Sequence, residues 1–232
     1  MSHRLKTLTE SQAWHLLVNA ATKALEAEGY TLTRMPGRGL ANMWSMERDG
    51  VSQHVAIRTT RIRWFAFPPL QGGTTWKTLK DADYVAVATV DSRDDPKTVE
   101  IYLFPAEVVR QRFDLAYAAR AEAGHALRDD YGMWVALDAY ERGLAIDVGS
   151  GLAQEYQPIA EYPIMDLIAD GSWERVDADV STLEVEDTHP KPITPAEAPD
   201  TIADVIAWAR QRIATIAGVA PSAVRVDVKL EV

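Results

Sequence analysis

The stretch from Asn42 to Phe67, NMWSMERDGVSQHVAIRTTRIRWFAF, decides how the rest of the chain is read. Asn42 to Glu47 alternates apolar and polar residues, Arg48-Asp49-Gly50 follows, and His54 to Thr60 returns with β-branched residues. Asp and Gly tolerate the left-handed backbone that a two-residue hairpin turn demands, so the pattern predicts a β-hairpin. Arg61 to Phe67 continues as a third strand. Its alternation puts Arg61, Arg63, Phe65 and Phe67 on one face and Ile62, Trp64 and Ala66 on the other.

Upstream, Thr9-Glu10-Ser11-Gln12 has the spacing of a capping box. Trp14, Leu17, Val18, Ala21 and Leu25 then share one helical face, and Gly29 is placed to end the helix, which covers roughly 9–28. Tyr30 to Arg34 reads as a short strand and Met35 to Gly39 as a basic glycine loop. Downstream, Pro68-Pro69 and Gly72-Gly73 break the chain, and Thr74 to Ala82 reads as a short helical turn. Tyr84 to Val90 is a buried-type strand, Asp91 to Lys97 a polar turn, and Val99 to Phe104 a further strand. Pro105 suits the first position of a helix that runs to about Gly124, with Val109, Phe113 and Ala116 as its apolar stripe. This order predicts an α/β (α+β) fold with a mixed central sheet flanked by helices.

Residues 1–124 thus form a core and 125–174 an extension of it. In that extension Met133 to Leu137 and Leu144 to Val148 are candidate strands and Gly149-Ser150-Gly151 a tight turn. Residues 175–200 are acidic and rich in proline (Pro190, Pro192, Pro195, Pro199) and read as a linker. The segment 201–232 reads as an amphipathic helix followed by an alternating strand. That unit is too small to fold alone, so it needs the core or a partner to dock on.

The 232 residues include no cysteine, which excludes a disulfide framework and thiolate zinc sites. The longest apolar run, YVAVATV from Tyr84, is far short of a membrane span. No signal peptide is visible in MSHRLKTLTE, so a cytoplasmic protein is expected. Net charge is −10, which argues against generic polyanion binding. The average hides a division: residues 1–80 carry 11 Lys+Arg against 5 Asp+Glu, and the remaining 152 carry 13 against 29. The five histidines lack metal-ligand spacing, Gly149-Ser150-Gly151 matches no nucleotide-binding loop, and no cofactor is expected.

From the first helix through Gly124 the chain resembles the PD-(D/E)XK restriction-endonuclease-like superfamily. The resemblance rests on Glu28-Gly29-Tyr30 closing a leading helix, the basic glycine loop, the hairpin and Trp64-Phe65-Ala66-Phe67. It continues in Asp81-Ala82-Asp83-Tyr84-Val85 and in Ile101 to Pro105 opening the last helix. In active members an Asp starts the second strand, and Glu (or Gln) and Lys lie one residue apart on the next; the carboxylates hold Mg²⁺ and the Lys positions water. Here the Asp position falls at Asn42, the Glu position at Ala56 and the Lys position at Arg58. An amide is a weak magnesium ligand, alanine is none, and a guanidinium keeps its proton, so it serves as no base. The resemblance therefore implies a degenerate, catalytically inactive nuclease fold that recognises or scaffolds, in DNA handling, bacterial defence or mobile-element biology.

Arg34, Arg38, Arg58, Arg61, Arg63, Lys77 and Lys80 are the candidate nucleic-acid contacts, with aromatic residues beside them for stacking on DNA or RNA. The alternative is a solvated strand face whose arginine stems cover apolar surface. Two other functions stay open. One is a metal-dependent DNA endonuclease with relocated ligands such as Glu47 or Glu100. The other is a protein-interaction module that docks through the C-terminal helix and strand.

Overall fold

A computed structural model of the chain describes residues 8–36 and 42–172, together with the isolated positions 206, 210 and 225. Arg38, the acidic linker at 175–200 and the helix-strand at 201–232 fall outside the described residues, the three isolated positions aside. The chain divides after Leu183 into two units, and the first carries the sheet and helices that follow.

Helix α1 (Glu10–Ala27) starts where its capping box demands. The Thr9 hydroxyl accepts from the Gln12 backbone N–H at 3.2 Å, and the Gln12 side chain accepts from the Thr9 N–H at 2.9 Å. Both donors would otherwise lack a partner at a helix start. Gly29 follows the helix at φ +89°, a conformation that costs glycine little. Leu17, Val18, Ala21 and Leu25 are buried as expected; Trp14 is only half-buried and packs edge-on against His15.

The hairpin forms from β2 (Met43–Arg48) and β3 (Val51–Thr60), with Asp49 and Gly50 both at positive φ. Together with β1 (Thr31–Arg34), β7 (Tyr84–Val90), β8 (Thr98–Pro105) and β10 (Ala160–Pro163) they make a six-stranded sheet in the order β1-β2-β3-β7-β8-β10. Only β3 and β7 run parallel, so the sheet is mixed. The parallel step is where the chain leaves the sheet and returns. In between lie β4 (Trp64–Phe67), β5 (Pro69–Leu70), β6 (Thr75–Trp76) and a 3₁₀ turn at Leu79–Asp81.

Helices cover both faces, and strand alternation sorts the core into two layers. One layer buries Val55, Ile57, Ala86, Ala88 and Ile101 under α1 and α4 (Ile164–Ala169). The other buries Ala56, Val85, Val87, Tyr102 and Phe104 under α2 (Ala106–Glu122), with Phe65, Phe67 and Trp76 arrayed around Phe113. Among the described residues, no helix is long and apolar enough to cross a membrane.

Four expectations need correcting. The stretch Arg61–Phe67 is not one strand: residues 61–63 form a bend, Arg63 takes φ +60°, and only β4 is extended. Because the bend resets the alternation, Phe65 and Phe67 are buried while Arg61 is exposed, so they do not share a face. β4 also leaves the main sheet and pairs antiparallel with β9 (Met133–Ala136). Leu144–Val148 is not a strand but holds a 3₁₀ turn at Ala145–Asp147, which leads through Gly149 and Gly151 into the short helix α3 (Leu152–Glu155). Thr74–Ala82 is helical only at Leu79–Asp81. Finally, the sequence pattern did not reveal β10 and α4.

Candidate functional site

The hairpin turn sets the register that places Met43, rather than Asn42, opposite Ala56. Ala56 and Arg58 then point to the α2 side of the sheet, beside Val85 and Val87 of β7. Ala56 is fully buried in apolar surroundings. Asn42 closes the ladder through its backbone, its carbonyl accepting from the Ile57 N–H at 2.8 Å. Its side-chain oxygen Oδ1 is buried without a hydrogen bond.

Arg58 occupies this face with its guanidinium densely surrounded. Nε donates to the Ala66 carbonyl at 3.2 Å, Nη1 to the Ile57 carbonyl at 3.0 Å, and Nη2 to the Thr78 hydroxyl. The plane lies 4.2 Å from the Phe67 ring centroid, a cation–π contact. All of these partners are uncharged, and burial pushes the Arg58 pKa down to about 10. The group is still a cation at neutral pH and so cannot take a proton from water. It is a fixed internal tie between β3, β4 and the 3₁₀ turn.

Arg63 makes a second tie. Its Nε donates to both carboxylate oxygens of Asp138, at 3.0 and 2.8 Å. Nη1 donates to Glu100 Oε2 at 2.7 Å and to the Val90 carbonyl at 2.9 Å. Glu100 Oε2 also accepts from the Tyr102 hydroxyl at 2.8 Å. Burial alone would lower the Arg63 pKa, but Asp138 and Glu100 raise it above the ordinary arginine value. Burial likewise raises the Tyr102 pKa.

The remaining candidates are scattered. Arg61 lies 3.6 Å from Glu10, and Lys77 donates to Asp130 at 3.2 Å. Arg34 ends β1 opposite Trp44, and Lys80 is exposed in the 3₁₀ turn. Of the expected basic cluster, Arg58 and Arg63 are engaged by partners within the fold, whereas Arg61 and Lys80 are exposed. Of the carboxylates considered for a relocated metal site, Glu47 is exposed near the hairpin tip and Glu100 is bound to Arg63. Among the described residues, no group of three or more His, Asp or Glu is placed to hold a metal ion.

The feature missed in the sequence is a cleft of about 330 Å³ lined by Ile62, Arg63, Trp64, Arg93, Asp138 and Tyr140. Trp64 and Tyr140 form its aromatic side, with ring centroids 5.8 Å apart and planes inclined by 32°. Arg142 stacks on Tyr140 at 4.5 Å and is paired with Asp147, so the tyrosine is held in place. Asp138 reaches the cleft from the end of β9, 75 residues beyond Arg63. No local pattern announces such a pairing.

The chain matches no protein-family model, no curated protein and no solved structure. Its function therefore rests on the geometry above.

Proposed function

We propose that the chain is a non-catalytic protein with a nuclease-like sheet, which acts by binding nucleic acid in DNA handling, defence or mobile-element biology. The observation that carries the loss of catalysis is the β3 face. Where the resemblance calls for a carboxylate and a lysine, Ala56 is sealed in the core and Arg58 is held by Ala66, Ile57, Thr78 and Phe67. Mg²⁺ needs carboxylate ligands, and every partner that holds that arginine is uncharged. The Asn42 amide adds only a neutral oxygen, and Met43 fills the position across from Ala56.

The test is to incubate the full chain with duplex DNA, single-stranded DNA and RNA, each with Mg²⁺ or Mn²⁺. No cleavage is expected, together with measurable binding by fluorescence anisotropy. Metal-dependent cleavage abolished by Glu100→Gln or Glu47→Gln would overturn the reading in favour of relocated ligands. A partner protein is the second reading, favoured by the exposed apolar side chains of Leu144 and Val148, 48% and 37% exposed, which line one shallow groove. Absence of all nucleic-acid binding at low salt would move that reading ahead.

A further inference from the structure

We propose that the Trp64–Tyr140 cleft binds a nucleotide, with the base against the aromatic side and the phosphate on Arg93. This deepens the binding reading above and rests on it only for the class of ligand, because the cleft uses none of the residues that stand at the degenerate catalytic positions.

The cleft is too polar on one side to be a packing defect and too aromatic on the other to be a simple ion site. Trp64 is half-buried in β4 and Tyr140 is 37% exposed, so both rings present surface that core packing leaves open. A flat base gains from stacking on such rings, and each base–aromatic contact is worth a large factor in affinity. The charges lining the cleft differ in what they have left to offer. Arg63 already spends Nε and Nη1 on Asp138, Glu100 and the Val90 carbonyl, and the two carboxylates offset its charge. Arg93 sits exposed in the turn between β7 and β8 and makes no side-chain hydrogen bond or ion pair with another described residue. Of the two cleft arginines it is the one without a carboxylate partner among the described residues, and a guanidinium takes a phosphate with two parallel N–H donors.

Asp138 supplies the selectivity. Its side chain is 31% exposed at the cleft, and a carboxylate accepts more hydrogen bonds than the pair it receives from Arg63 Nε. A base edge with neighbouring N–H donors suits it, and guanine has two of them. Adenine and cytosine offer one amino group each, whereas the uracil edge offers a single N3–H flanked by two carbonyl oxygens that a carboxylate repels. The order expected is guanine first, adenine and cytosine next, uracil last.

The test uses the full chain, titrated calorimetrically with GMP, AMP, CMP, UMP and guanosine, and separately with short oligo-G-containing and oligo-U RNA and DNA strands. Arg93→Gln and Tyr140→Leu, both at exposed positions, are compared after melting curves show the fold intact. GMP binding should weaken roughly tenfold in each variant, the size of one lost charge-assisted or stacking contact. Guanosine should bind more weakly than GMP and be insensitive to Arg93→Gln. Binding of both mononucleotide and strand assigns a free nucleotide as a sufficient ligand; binding of the strand alone assigns an unpaired nucleotide within a chain. The proposal is overturned if none of these ligands binds at low salt, if UMP binds as well as GMP, or if the two variants bind unchanged. Metal-dependent cleavage would instead defeat the loss of catalysis and leave the cleft assignment standing.

Discussion

Arg58 and Arg63 are five residues apart, yet they show two ways of enclosing a guanidinium. Arg58 is surrounded by neutral acceptors and a ring, Arg63 by two carboxylates. The fork geometry at Arg58 serves three acceptors in different directions, which a single ammonium cannot do. Arg58→Lys should therefore lower stability by about 1.5–3 kcal/mol in denaturant unfolding without creating nuclease activity. Removing Arg63 leaves Glu100 and Asp138 facing each other without compensation. Arg63→Met is expected to cost about 2–4 kcal/mol, below the fully buried case because the carboxylates keep some solvent. Adding Glu100→Gln should recover part of that loss, and strict additivity of the two changes would refute the coupling. In the sequence both arginines look like members of a basic strand. The register of β3 against β7 points Arg58 to the α2 side, and the bend at residues 61–63, where Arg63 is left-handed with nothing in its side chain to announce it, redirects Arg63.

Among the elements, those with local causes were legible. The capping box of α1, the Asp49-Gly50 turn, the apolar runs of β7 and β8 and the proline before α2 all specify their structure within a few residues. The elements missed or misassigned depend on distant partners: β4 needs β9, and β10 needs β8. Gly149 marks one such dependence. It has φ +85°, and a Cβ there would lie 2.4 Å from the Arg112 carbonyl of α2. Gly149→Ala should destabilise the fold by about 2 kcal/mol or more and shift the thermal midpoint down. At the opposite face, α4 is tied to α1 by Lys23 and Asp170 at 2.9 Å. Hydrogen bonds from Ser172, then Lys23, hold the Asp170 carboxyl below its ordinary range. The folded state thus binds fewer protons than the unfolded one there, so this tie contributes fully above the ordinary aspartate range and is lost as the pH falls below that range, through the lowered folded value. Protection of the α4 amides, taken relative to the intrinsic exchange rate at each pH, should fall on acidification in the native chain and lose that pH response in Asp170→Asn.

For the molecule as a whole, a chain of net charge −10 with its central arginines turned inward is a poor general polyanion binder. Lys80 and Arg93 are the exposed cations singled out above that make no side-chain ion pair with another described residue. Each neutralised phosphate adds about 0.7–0.9 to the slope of log affinity against log salt. Binding that neutralises phosphates through Lys80 and Arg93 alone should therefore show a shallow slope, no steeper than about −2, in an anisotropy salt series. A steep slope would require a basic surface formed elsewhere in the chain.

By itself the sequence determined the mixed sheet flanked by helices and the hairpin within it. Periodicity, caps and turn residues act over a few positions, so they can be read in one dimension. The tertiary structure alone decided where the charges went. Arg63 meets Glu100 and Asp138 across 37 and 75 residues, and the Trp64–Tyr140 cleft exists only because β4 pairs with β9. Ion pairing and ring packing act through space, between groups that the chain brings together only after the sheet has formed.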